Sequence, residues 1–407
     1  MKKTILIVFI LLLLVPVFSL SALDFGLLLD QTFGMENADG DNAADGLGYS
    51  ITLIPWLSMP LGSSYNGRRL YLSIGLTEEY ANENANFIPE LLRAELTFPV
   101  GADMEIKAGR MQYADPLGFI ACGLFDGAKF SLAVANIGTF GVGAWYTGLL
   151  YKKSAQITMT EKERVSYNTE LDYDNFADTY FAPGRILFAL DWDNPYLTQW
   201  LRLKAALIGQ FDLSDDEALH SGYLALKATI PVKSLVFDLG GCFELMQDSD
   251  QNKVSLVGEL AIAWMLPTPI RDRLTLTGQL SSGTLDDGAL VAFVPVSTVN
   301  QGYILKANIS GLSTICLDYT VRLHESLSLD VSSTYFFLND PVTYKGLPPG
   351  KNGPPLGNEF YGRLIWSPMS DLQFNFGGGV FLPSMGKADE TADPLWRVEL
   401  NAVIAFF

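Results

Sequence analysis

The sequence predicts an all-β fold: a transmembrane, antiparallel, up-and-down β-barrel of about eighteen strands, with sixteen and twenty as the alternatives. Three observations predict it. Segments of about 8 to 13 residues alternate apolar and polar side chains along the whole chain, the period of a strand with one greasy and one wet face. Short and long connectors take turns between these segments. The chain also closes on such a strand: in 395–407, Trp396, Val398, Leu400, Ala402, Ile404 and Phe406 share one parity, and Arg397, Glu399 and Asn401 share the other. The polar parity itself turns apolar at Val403, Ala405 and Phe407, which either a bulge or an interfacial end would explain.

At the start, Lys2 and Lys3 precede an apolar run from Thr4 to Phe18, with the small residues Ser19, Ser21 and Ala22 after it. This reads as an export signal over 1–22, leaving 23–407 as the barrel domain. The run is too short for a spanning helix, and no later stretch approaches about 18 uninterrupted apolar residues. Alternation then places strands near 24–34, 46–54, 69–76, 90–98, 103–110, 125–135, 139–150, 184–192 and 199–211. It continues near 220–229, 234–245, 254–264, 273–281, 309–322, 326–338, 359–367, 371–381 and 395–407. Short connectors such as 99–103, 230–233 and 324–325 alternate with long ones at 35–46, 77–89, 111–124, 151–183, 282–308, 339–358 and 382–394. Turns on one side of a membrane and loops on the other give this rhythm. Both ends of such a barrel lie on one side, so the count must be even. The segment 302–309 is therefore read as loop, although 288–308 could hide a hairpin and give twenty.

The formal charge is −18, and −20 once Lys2 and Lys3 leave. That balance argues against nucleic acid or an anionic membrane surface as partner. The excess falls in the long connectors: Glu36, Asp39, Asp41 and Asp45; Glu78, Glu79 and Glu83; Asp212, Asp215, Asp216 and Glu217; Asp286 and Asp287; Asp389, Glu390 and Asp393. An acidic mouth raises the local concentration of cations over about 8 Å at physiological salt. The run from Asp39 to Asp45 lacks the bidentate Glu of a complete calcium loop and reads as a solvated loop. Cys122, Cys242 and Cys316 fit neither a disulfide framework nor zinc spacing. His324 beside Glu325 reads as a solvated turn, and His220 near Asp215 and Asp216 is the one candidate for a protease-like base. No nucleophile elbow or phosphate-cradling loop is present, so no catalytic residue, metal or cofactor is expected.

Charge facing lipid costs about 2–4 kcal/mol for Lys or Arg at the midplane, so charges within strands must share the inward parity. On this reading Arg93, Lys107, Lys129, Arg202, Lys204, Lys227, Arg273, Arg322, Arg363 and Arg397 line the interior. Glu95, Glu105, Asp191, Asp238, Glu244, Glu259, Asp318, Asp330, Glu359 and Glu399 line it with them. Ten against ten makes the lumen mixed, and as a set they imply water inside.

The run 106–113, with Gly109 and Arg110 ending a strand, leads to Asp126 and Gly127 opening the next and then to Phe140–Tyr146. Near the end stand Phe360–Arg363, Trp366, Pro368, Leu372 and Phe381. These motifs, about a quarter of the chain, resemble the alginate-export porin family of outer-membrane barrels. The resemblance implies passive passage of a solute through a single-chain pore and puts Arg110 and Asp126 at the pore wall. It also implies a strongly cationic lumen for alginate, which the even count above does not supply.

The expectation is a channel for small hydrophilic solutes in the outer membrane of a diderm bacterium, mildly cation-preferring if the mouth dominates. Outer-membrane lipid would surround it, and barrel-assembly machinery would engage the strand ending at Phe407. The alternatives are a plugged, hydrophobic-substrate or polysaccharide-export transporter, and a surface adhesin or structural barrel. The strand beginning almost at once after 22 disfavours an N-terminal plug. The long connector 151–183, with Tyr151, Tyr167, Tyr173, Phe176, Tyr180 and Phe181, is expected to fold inward and constrict.

Overall fold

A computed structural model describes residues 23–37, 46–62, 67–81, 84–214, 218–248, 251–284, 290–339, 354–387 and 393–406. The expected export signal, Phe407 and most of the acidic connector residues lie outside them. Eighteen antiparallel strands form one closed sheet. In order they are β1 (Asp24–Asn37), β2 (Gly46–Pro60), β3 (Arg69–Ala81), β4 (Asn84–Val100), β5 (Met104–Ala114), β6 (Cys122–Val134), β7 (Gly138–Tyr146), β8 (Arg185–Thr198) and β9 (Leu201–Asp212). The second half comprises β10 (Leu219–Val232), β11 (Leu235–Asp248), β12 (Gln251–Met265), β13 (Arg273–Ser281), β14 (Leu312–His324), β15 (Leu327–Leu338), β16 (Pro355–Met369), β17 (Leu372–Leu382) and β18 (Leu395–Phe406). Each pairs with its neighbours in sequence, and β18 closes on β1 from Leu27↔Phe406 to Asn37↔Trp396.

The strands outrun the alternation that predicted them. β4 covers 17 residues where the pattern marked nine, 90–98. Side-chain alternation is required only where one face is apolar and the other wet, whereas ladder hydrogen bonds continue past that belt. Pairing with β1 runs unbroken through Val403 and Ala405, and pairing with β17 runs unbroken to Ile404, so no bulge underlies the apolar end of β18. Residues 302–309 form no strand; a single bridge, Gln301↔Ala307, ties that stretch into a tip. No helix of the described residues is long and apolar enough to cross a membrane. The outer face is apolar instead, with Leu190, Leu207, Leu226, Phe243, Leu256, Leu276, Ile315 and Phe376 all exposed on it.

What is buried lies inside the barrel. Connections β5–β6, β7–β8 and β13–β14 fold inward and share one apolar core, in which Ile120, Leu150, Ile157, Phe293 and Val296 pack with wall residues Phe125, Trp145, Leu187, Ile208 and Tyr223. Polar backbone cannot enter such a core without partners. Asp115 solves this for the first connection, its carboxylate accepting from the N–H groups of Leu117, Gly118, Ile120 and Ala121 at 2.7–3.0 Å. The second carries three short helices, α1 (Lys152–Ala155), α2 (Glu161–Asn168) and α3 (Phe176–Tyr180). Thr160 and Glu163 close the start of α2 as a capping box. From α2, Glu163 also reaches the wall. The fully buried Arg185 of β8 donates to Glu163 at 2.8 Å, Gln210 at 2.6 Å, Asp212 at 2.9 Å and the Leu219 carbonyl at 3.0 Å.

Arg185→Ala would leave Glu163 and Asp212 buried without their cation, a loss on the order of 3–5 kcal/mol. Limited proteolysis should then cut within 147–184, while the barrel keeps its fast, heat-sensitive mobility on SDS gels. An uncut segment would show that Arg185 does not anchor it.

Candidate functional site

The direction of each strand face follows from bonds that skip strands. Tyr113 of β5 donates its hydroxyl to Asp191 of β8 at 2.9 Å, and Lys129 of β6 reaches the same carboxylate at 2.7 Å. Only on the concave side do such strands come within reach of one another, so this parity turns inward. Register carries the assignment round the wall: Lys107 pairs with Lys129, Lys204 with Lys227, and Asp330 with Arg363.

On that face the structure joins cations to acids. Arg93 meets Glu95 at 2.8 Å, Lys107 meets Glu105 at 3.3 Å, and Lys204 meets Asp193 at 3.0 Å. Lys227 meets Glu259 at 3.5 Å, Arg363 meets Asp330 at 2.8 Å, and Arg397 meets both Glu399 and Glu36 at 2.9 Å. Asp238 accepts from the Thr229 hydroxyl, and Arg322 donates to the Glu325 carbonyl at 2.8 Å. Arg202 and Arg273 have no ion pair among the described residues, and Asp318 accepts no hydrogen bond among them. Opposite charges a few ångströms apart cancel at a distance, so these pairs add little net field to the interior.

Arg110 and Asp126 sit differently from the position the family resemblance implied. Their register, Ala94↔Arg110↔Asp126, falls on the parity opposite to Lys107 and Lys129. They close a seam. β4 pairs with β5 only from Ala94 to Val100; above that, β4 pairs with β3 alone and β5 with β6 alone. Side chains cap the β4 edge so exposed. Arg110 Nη1 donates to the Leu91 carbonyl at 2.6 Å, the Tyr180 hydroxyl to Pro89 at 2.5 Å, and the Tyr173 hydroxyl to Phe87. The guanidinium is itself clamped by Asp126 at 2.8 and 2.6 Å and by the Leu149 carbonyl at 2.9 Å. Burial, aided by Glu90, pushes the Tyr180 phenol up to about 12. Gly109 makes the parting of the strands possible: its φ is +109° and a Cβ there would lie 2.0 Å from the Ala94 carbonyl oxygen.

Two carboxylates hold the inward β13–β14 connection. Glu359 accepts from the N–H groups of Tyr303, Ile304 and Leu305 at 2.7–3.0 Å. Glu244 accepts from Val294 N–H at 3.0 Å and from the Ser255 hydroxyl. Sequence placed both on the inward face; their task as loop anchors had no local signal. His220 accepts from the Asp212 N–H through Nδ1 at 3.1 Å and packs beside Phe211, a structural environment. Asp215 and Asp216, expected beside it, lie outside the described residues, as does the run 39–45. Cys122, Cys242 and Cys316 are free thiols, and no group of His, Cys, Asp and Glu among the described residues is arranged to hold a metal.

Arg110→Ala removes the bidentate pair and two carbonyl caps at once, leaving Asp126 without its cation. The expected cost is about 3–5 kcal/mol, read as a lower urea midpoint of the folded barrel. Faster hydrogen exchange in 147–184 should accompany it; an unchanged midpoint and exchange would show that the seam holds without this pair.

No family model matches the chain, and no curated protein matches it in sequence. Solved structures do match over nearly its whole length. Pseudomonas aeruginosa OccK5 (OpdH) is 12% identical with a TM-score of 0.63, covering 95% of this chain and 98% of that one. OprD, an outer membrane protein of the same organism, is 14% identical with a TM-score of 0.56, covering 94% and 92%. OccK2 (OpdF) of that organism, solved in complex with glucuronate, is 12% identical with a TM-score of 0.62, covering 95% and 98%. At such identity the likeness is one of fold, and the fold shared is the eighteen-stranded porin-type barrel.

Proposed function

We propose that the chain is an outer-membrane channel of a diderm bacterium that lets small hydrophilic solutes diffuse through the barrel. The observation that carries this is a closed wall, apolar outside, whose inward face bears Arg, Lys, Asp and Glu on strand after strand. Buried charge without water or a partner is expensive, and a barrel of this strand number is wide enough to hold water. Arg93, Lys107, Lys129, Arg202, Lys204, Lys227, Arg273, Arg322, Arg363 and Arg397 are the cations assigned to the pore wall. Glu105, Asp191, Asp238, Glu259, Asp318 and Asp330 are the acids assigned beside them. Arg110 and Asp126 are assigned to the seam. Outer-membrane lipid is the surrounding partner, and the C-terminal strand is the proposed handle for barrel assembly. Export of alginate is the narrower reading of the sequence resemblance; the ion-paired wall gives a polyanion little to follow.

Planar-bilayer recording of the refolded chain tests the proposal. Steady current steps are expected, with a reversal potential under a salt gradient close to zero and displaced only slightly toward cation preference. Strong anion preference would revive polyanion export, and silence from a folded, inserted barrel would sink the open channel.

A further inference from the structure

Beside β14–β18 the interior carries a stacked pair of tyrosines. Tyr361 projects inward from β16 and is buried, at 4% exposure. Tyr303, at the tip of the β13–β14 connection, stacks on it with ring centroids 4.1 Å apart and planes 13° from parallel. Tyr303, stacked on an inward-facing ring, is itself 48% exposed. The tip does not need that ring to stay in place, because Glu359 already holds three of its N–H groups and the Gln301–Ala307 bridge closes it.

Polar groups of both signs surround the platform. Tyr361 donates its hydroxyl to Glu399 at 2.7 Å, and Glu399 pairs with Arg397. Arg363, paired with Asp330, lies close enough to both tyrosines to act on their hydroxyls. Glu36 bridges Arg397 to Lys306, three residues beyond Tyr303. With Glu359 counted, three cations thus stand against four acids, and Arg273 against Asp318 adds nothing net. An anion gains no attraction from such a set. A hydroxyl, which both donates and accepts, gains from either sign, and a flat apolar ring face suits the C–H face of a saturated ring.

We propose that Tyr303, backed by Tyr361 and edged by Arg363–Asp330 and Arg397–Glu399, is a lumenal binding subsite for neutral pyranose sugars. This rests on the channel reading and adds a substrate class to it. The aromatic face orients the ring, and the paired side chains exchange hydrogen bonds with its hydroxyls without net charge recognition.

The test is current recording in planar bilayers with D-glucose and D-glucuronate as probes, on the unchanged chain, Tyr303→Phe and Tyr303→Ala. Glucose should interrupt the current in a concentration-dependent way, glucuronate no more strongly. Tyr303→Phe should keep the interruptions, and Tyr303→Ala should raise the dissociation constant about tenfold. An open channel that glucose leaves undisturbed, or one that only glucuronate blocks, overturns the subsite while leaving the channel intact. If the inserted barrel passes no current, the channel reading falls. Calorimetry of glucose on the detergent-solubilised protein then decides the subsite: Tyr303-dependent heat supports it, and no heat overturns it.

Discussion

The rest of this structure depends on one constraint: each backbone N–H and C=O must find a partner where water is scarce. A sheet satisfies it in a membrane only by closing on itself, which is what β18 does on β1. The same constraint explains the seam between β4 and β5. There the ladder stops at Ala94 and Arg110, and alternate carbonyls of β4, at Phe87, Pro89 and Leu91, lose their strand partner. Donors from the β7–β8 connection and from Arg110 take the place of the missing strand. The aromatic cluster of Tyr151, Phe176, Tyr180 and Phe181 against Ile88 is the apolar half of the same repair.

Inward-folded connections face the constraint a second time, and carboxylates answer it. Asp115, Glu244 and Glu359 each accept backbone N–H groups from a segment that leaves the wall. An ionised acceptor makes such bonds shorter and stronger than a neutral one would. Apolar contacts then fill the space between, as Ile120, Phe293 and Val296 do against Phe125 and Tyr223. The interior is therefore fastened by acids at its tips and by packing along its length. This assigns part of the negative charge a structural duty.

The wall was legible in the sequence because one rule governs it locally. Each of the eighteen predicted strands has a counterpart, and 273–281 coincides with β13 end to end, since Arg273–Ser281 is bounded by polar turns on both sides. Boundaries fail where the alternation fades before the ladder does, as in β4. The interior was legible only as a parity. That Arg185 binds Glu163 and Gln210, residues on other elements, depends on where a long connection folds, and no periodicity records that. Arg110 is the instructive case. The resemblance sent both Arg110 and Asp126 to the pore wall; the positive-φ Gly109 beside Arg110 instead sits where β4 and β5 part, and Arg110 fills the gap.

The distribution of apolar core also narrows where water would pass. Buried apolar clusters line β4–β12 and β14–β17; of β1, β2, β3 and β18 only Leu395, at the start of β18, packs against one of them among the described residues. On the inward parity of those four strands stand hydrogen-bonding groups instead. Asn401 donates to Asp30 at 2.6 Å and to Thr32 at 3.0 Å, Asn375 donates to Asn401 at 2.8 Å, and Thr52 meets Thr77 at 2.9 Å. Glu36 and Arg397 continue this polar strip toward the Tyr303 platform. A hydrated path on the channel reading therefore runs off-centre, along strands that the inward connections touch, among the described residues, only at the Lys306–Glu36 pair. Paired hydrogen-bonding side chains line one flank of that path and the half-exposed Tyr303, stacked on Tyr361, the other. On the channel reading, discrimination in such a passage rests more on the shape and hydroxyl pattern of a solute than on its charge, because most charged side chains of this face are paired.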